Sequence, residues 1–168
     1  MPRNARYIII FVTVVLLQVL LFDNLTLTPY VYPLVYVAFI LWLPTNISHA
    51  ALIILSMVLG VSVDLLSGLP GLNTIASLAS GFVRPAALNI AIGKELSRDN
   101  IMPLPYNVGN SKWLRYALLT ISVHCLVFFF FEASTFRYAG FTLFRALGSL
   151  SSTTLLVWIA ARLLPADN

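Results

Sequence analysis

Long apolar runs, each closed by a short polar or Pro/Gly stretch, fill most of the chain. The first runs from Tyr7 to Phe22 and is edged by Asp23 and Asn24. A shorter one, about 30–43, is bracketed by Pro29, Pro33 and Pro44. The third covers 50–66 and ends in the breaker sequence Ser67-Gly68-Leu69-Pro70-Gly71. The fourth, 72–92, carries Arg84-Pro85, where a kink or break is expected. A polar stretch over 93–111 precedes the fifth run, 113–131, and the sixth, 141–164. The runs do not alternate as strands of a membrane barrel do. Helices satisfy their own backbone in lipid, so continuous runs predict helices. Each crossing needs roughly 20 apolar residues. The pattern predicts an all-α integral membrane protein, one domain over 1–168 with six transmembrane helices.

Composition agrees. Apolar residues make up 60% of the 168, charged residues 10%, and the mean hydropathy is +0.92. A soluble domain carries about 25% charge. The net charge of +4 does not point to nucleic acid, because the basic residues flank the apolar runs. With six crossings both ends face one side. That side holds Arg3, Arg6, Lys94, Arg98, Lys112, Arg115 and Arg162, with Arg84 nearby, against Arg137 and Arg145 on the other. The positive-inside rule then puts both termini and the 93–111 loop in the cytoplasm. Trp42, Trp113 and Trp158 fall at the cytoplasmic helix ends, where an aromatic belt is expected. The N-terminal run ends without a small-residue cleavage site, so it reads as a retained helix. The single cysteine, Cys125, excludes an intramolecular disulfide and a cysteine metal site.

Asp64 stands out chemically. It lies roughly 21 Å along its helix from Ala50, in the outer third of the hydrocarbon layer. A carboxylate there costs about 2.5–3.5 kcal/mol unless it turns inward. It serves proton or cation coupling, or it is structural, capping the 67–71 turn or pairing with a base. Arg84, about 16 Å in from the outer surface, is the partner candidate. Alternatively its helix ends at Pro85 and Arg84 snorkels to the headgroups. Small residues recur at four-residue spacing as Ser56/Gly60, Ala76/Ser80 and Gly148/Ser152, a pattern that lets helix backbones approach in lipid. Ser149, Ser151, Thr153 and Thr154 line a polar path, or bond helix carbonyls or a neighbouring helix. His49 and His124 lack metal-ligand spacing and read as interfacial and packed histidines. Glu132 marks a helix end, Phe128–Phe131 an outer surface, and Asn110 or Ser111 a helix N-cap. No phosphate loop, nucleophile elbow or metalloprotease helix occurs, so no catalytic, cofactor or metal residues are assigned.

Several of these segments together resemble the rod shape-determining protein MreD family, in particular its members from the Bacteroidetes lineage. They are Gln18–Asn24, Tyr30-Val31-Tyr32-Pro33, the stretch from Gly60 through Asp64 and Ser67-Gly68-Leu69-Pro70-Gly71 to Asn73, and Phe82-Val83-Arg84-Pro85. Gly60, Asp64, Gly71 and Arg84 match the family pattern, while Asn73 stands where many relatives have a histidine. The resemblance implies a bundle similar to the substrate-binding components of energy-coupling-factor transporters, in the bacterial inner membrane. It also implies a place in the cell-elongation machinery, bound to a single-span MreC-like partner. Through that partner the chain would connect to a RodA-like polymerase, a class B penicillin-binding protein and MreB filaments.

Two function classes therefore compete. One is a non-enzymatic scaffold that grips partner helices through small-residue faces. The other is the substrate-binding subunit of a vitamin-type transporter. Against the second, the Tyr7–Phe22 helix has no Ala, Gly or Ser for docking an energising partner. An intramembrane enzyme would need Asp64, Arg84 and His124 to converge.

Overall fold

The computed structural model describes residues 3–24, 31–93, 100–134 and 139–164. Lys94, Arg98, Arg137 and the stretch 25–30 lie outside these. Helix α1, Arg3–Leu17, continues as a π-helical turn, Gln18–Phe22. A 3-10 turn, Val35–Val37, leads into the short α2, Ala38–Trp42. Then come α3 (His49–Ser67), α4 (Leu72–Ala91), α5 (Pro105–Val108), α6 (Asn110–Ala133) and α7 (Ala139–Leu163).

Among the described residues four helical stretches are long and apolar enough to cross a membrane: Ala5–Phe22, His49–Ser67, Asn110–Ala133 and Ala139–Leu163. Helix α4 has 20 residues, about 30 Å, and so has the length. It lacks the apolarity because Asn73, Ser77, Ser80 and Arg84 occupy its buried face. It packs between α3 and α6, and α6 packs on α7. Contrary to the expected break, α4 runs through Pro85 without interruption.

The 30–43 segment departs most from expectation. It is not one helix: of its described residues, Val31–Leu34 are non-helical before the 3-10 turn and α2. Pro33 is the cause, since it offers no N–H and holds Tyr32 out of the helical region. Irregular backbone is tolerated at membrane depth only inside protein, and every residue from Pro33 to Leu43 is buried. Its polar groups are met from neighbouring elements. Tyr32 N–H donates to Ser149 Oγ and Leu34 N–H to Thr153 Oγ1, both at 2.9 Å. Val35 N–H donates to Gln18 Oε1 at 2.8 Å, and Gln18 Nε2 donates to the Pro33 carbonyl at 3.1 Å. The hydroxyls of α7 thus divide by face. Ser151 and Ser152 bond their own helix, whereas Ser149 and Thr153 satisfy the unwound segment. Replacing Thr153 by valine should cost about 1–2 kcal/mol and speed hydrogen exchange at the Leu34 amide. Unchanged protection there would contradict this account.

The α3–α4 hairpin is closed by small residues. A Cβ on Gly60 would sit 2.7 Å from the Asn73 carbonyl oxygen and 2.8 Å from Thr74 N. One on Gly81 would sit 2.9 Å from Ser56 Cβ. Gly60 therefore meets α4 backbone to backbone, and the Ser56 side chain rests on the backbone of Gly81. Ala76 and Ser80 are buried on α4, whereas Gly148 and Ser152 on α7 are only half-buried. Gly60→Val should destabilise by about 3 kcal/mol, the upper end for overpacking, because backbone cannot move aside. A stability within 0.5 kcal/mol of the parent, in a reversible denaturation series, would refute the close approach.

The hairpin turn uses glycine where the backbone demands it. Gly68 ends α3 at φ 70° and Gly71 precedes α4 at φ 82°, with the exposed Pro70 between them. The tryptophans differ from a simple belt. Trp42 and Trp113 are buried in the core, and only Trp158, half-buried under the Arg162 guanidinium at 4.3 Å, stands near the surface.

Candidate functional site

The polar interior begins at Asp64. One carboxylate oxygen accepts from Asn73 N–H and Asn73 Nδ2, both at 3.0 Å. The other accepts from Thr74 N–H at 2.8 Å and Thr74 Oγ1 at 2.5 Å. These are the open N–H groups at the start of α4, whose own cap residue, Gly71, has no side chain to offer. Asp64 is thus the N-cap of α4, supplied from the preceding helix. Negative charge at a helix N-terminus is favourable, and four donors offset its desolvation. The Gly60–Asp64 spacing follows: glycine admits the α4 start, and one turn later the carboxylate reaches over it.

Asn73 passes the chain of bonds onward. A carboxylate only accepts, so the Asn73 Nδ2 faces Asp64 and its Oδ1 faces inward. Tyr36 OH donates to that oxygen at 2.7 Å. The phenol has one proton, so the His124 Nε2 beside it at 2.8 Å must be the protonated nitrogen. His124 Nδ1, left as an acceptor, lies 2.9 Å from Ser80 Oγ, whose single proton is shared with the Ala76 carbonyl at 2.9 Å. One directed relay joins α3, α4, the 3-10 turn and α6, and each of its members except the half-buried Thr74 is buried. Cys125, next to His124, is buried as well.

Arg84 serves the opposite pole of the bundle. It is 1% exposed. Its Nε donates to Tyr116 OH at 2.8 Å, and Tyr116 OH donates to the Leu41 carbonyl at 3.0 Å. The guanidinium also donates to the Leu43 carbonyl and, at 3.4 Å, to that of Pro44. These carbonyls end α2, where a cation is favoured. Arg84 therefore neither pairs with Asp64 nor snorkels to the surface. Each charge caps a different helix, and the two ends lie about 16 Å apart along α4.

A second polar cluster closes the end of the bundle that holds the α3–α4 turn. Asp23 accepts from Gln18 Nε2 at 2.8 Å, from Tyr32 OH at 2.6 Å and from Ser67 Oγ. At the same end Arg145 pairs with Glu132 at 2.8 Å and covers the Phe129 ring. That pair is partly exposed and contributes little, roughly 0.2–1 kcal/mol. His49, exposed, is the first residue of α3, capped by Ser48. Neither Asn110 nor Ser111 caps α6. Gly109 occupies that position, and Asn110 Oδ1 accepts from Arg162 at 3.2 Å instead.

Asp64, Asn73 and His124 thus meet through one network, while Arg84 stands apart. Gln18, Tyr36 and Tyr116 were not singled out by sequence. For Gln18 a signal existed, an amide late in an otherwise apolar run. Tyr36 and Tyr116 look like any other aromatic residue until their partners are known. Among the described residues no three metal-ligating side chains come together. Outside, two open, largely apolar grooves remain. One of about 550 Å³ lies between α6 and α7, and one of about 430 Å³ lies where α1, α2 and α3 meet. No protein-family model, curated protein or solved structure matches the chain.

Proposed function

We propose that this chain is a non-enzymatic scaffold subunit of the bacterial cell-elongation machinery, an MreD-like protein of the inner membrane. In this reading it crosses the bilayer six times with both termini in the cytoplasm. The buried 31–42 segment and α4 supply the two crossings beyond the four apolar helices. It binds a single-span MreC-like protein and, through it, a RodA-like polymerase, a class B penicillin-binding protein and MreB filaments.

One observation carries the reading. Asp64, Arg84, Gln18, Ser149 and Thr153 are committed to holding helix ends and the unwound segment, while the outward faces are apolar and grooved. Asp64 and Arg84 are tied up as caps, which leaves the outer surface as the working part. Apolar side chains such as Ile8, Val12 and Leu16 on α1 and Ile54 and Val58 on α3 stand exposed beside the smaller groove. A partner helix packing there would gain van der Waals contact, the main drive between helices in lipid.

The test is affinity recovery of the tagged chain from its own cells in mild detergent. An MreC-like single-span protein in matching amount is expected. A Val58→Arg change in the groove should abolish its recovery and leave the chain folded. Recovery without such a partner, or with a bound vitamin in its place, would overturn the proposal.

A further inference from the structure

The larger groove and the end of the bundle next to it form one composite surface. Leu114 and Leu118 of α6 face Ser151, Thr154, Leu155 and Trp158 of α7 across about 550 Å³. Thr154 is nine-tenths buried in this wall, and its hydroxyl has no hydrogen-bond partner. At the groove mouth Asn110 is shared with a second hollow of about 390 Å³, lined by Tyr106, Gly109, Asn110 and Arg162.

That hollow is built for an anion. It sits on the N-terminus of the 24-residue α6, which no side chain caps. Open N–H groups and the helix dipole favour negative charge there. Arg162 continues the Ser151–Leu155–Trp158 stripe by one turn, bonds Asn110 and stacks on Trp158, with no carboxylate partner among the described residues. Arg6 lies beside Tyr106, one of the residues that line the hollow. The described carboxylates, Asp23, Asp64 and Glu132, all belong to the opposite end.

We infer that the α6–α7 groove and the Arg162 hollow together bind one anionic phospholipid, with an acyl chain along the groove and the phosphodiester at Arg162 and the α6 N-terminus. Charge selects the headgroup. Two arginines and an uncapped helix start attract a net negative lipid, and no described acid on this end is placed to accept an ethanolammonium. Arg162 also fits a phosphate oxygen by the directed hydrogen bonds a lysine would not reproduce.

The inference rests on the chain lying in a bilayer, not on which protein it grips, and recovery in the membrane fraction tests that premise separately. Native mass spectrometry of the purified chain, offered phosphatidylglycerol and phosphatidylethanolamine with matched acyl chains, tests the site. Phosphatidylglycerol should be retained about ten-fold better. Arg162→Glu should erase that preference, and Leu155→Trp, which fills the groove, should lower retention of both lipids. Arg145→Glu, at the far end, should change neither. Circular dichroism of each variant should match the parent. Equal retention of the two lipids, an Arg162→Glu protein that keeps the preference, or equal stabilisation by inorganic phosphate alone would overturn the inference. So would a crosslink from position 155 to a protein helix in place of lipid.

Discussion

Asp64→Ala is expected to be the most damaging single substitution in the chain. It strips four hydrogen bonds from the start of α4, two of them from backbone N–H groups with no other acceptor. Losing an N-cap costs about 0.5–2 kcal/mol, and each buried donor left open costs about 1–3. A total loss of roughly 4 kcal/mol follows, a large share of the roughly 5–15 kcal/mol that holds an ordinary protein together. Asp64→Asn should lose about half as much, because it keeps one acceptor oxygen and gives up the charge. The damage should also spread. With Asn73 released, the Tyr36–His124–Ser80 relay loses its fixed direction, so exchange protection should fall on α6 as well as on α4. Reversible unfolding in mixed micelles measures the energy, and residue-resolved exchange measures the spread. An alanine variant within 1 kcal/mol of the parent would contradict the capping role.

Arg84→Met should follow closely, at about 3 kcal/mol. Hydrogen bonds to a charged group are worth about 1.5–3 kcal/mol. Methionine fills the space but leaves the Leu43 carbonyl and the acceptor side of Tyr116 OH without a donor, while the Pro44 carbonyl keeps only the long bond from Ile47 N–H. Arg84→Lys is the sharper variant. An ammonium keeps the charge but cannot serve Tyr116 and two successive carbonyls with one planar fork. It should recover only about half of the loss. Full recovery by lysine would mean that charge alone matters at this position.

Much of this architecture was legible in the residues. The long apolar runs became helices with ends within a few residues of expectation, as in His49–Ser67 against 50–66 and Ala139–Leu163 against 141–164. Lipid permits few alternatives for such runs. The breaker sequence Ser67–Gly71 marked the turn and the Ser56/Gly60 spacing a close helix approach, because left-handed backbone and tight packing leave marks on residue choice.

What stayed hidden depends on long-range contact. Hydropathy makes 30–43 look like a short span, yet Pro33 unwinds it and side chains from Gln18, Ser149 and Thr153 hold it. Ser149 and Thr153 lie more than a hundred positions away in α7, and no local pattern announces them. Arg84 and Asp64 look like an ion pair because two opposite charges in lipid usually seek each other. They part because helix ends offered each one closer dipoles and more hydrogen bonds. Trp113 was read as a belt residue from its place in the chain, whereas the fold turns it into the core.

The central claim is that the two buried charges work as separate caps. A double-mutant cycle on stability, with the mild changes Asp64→Asn and Arg84→Lys, measures it directly. Sites about 16 Å apart with no shared partner should be additive within about 0.5 kcal/mol. A coupling above about 1.5 kcal/mol would mean that the charges act on each other, and the account of the interior would fall.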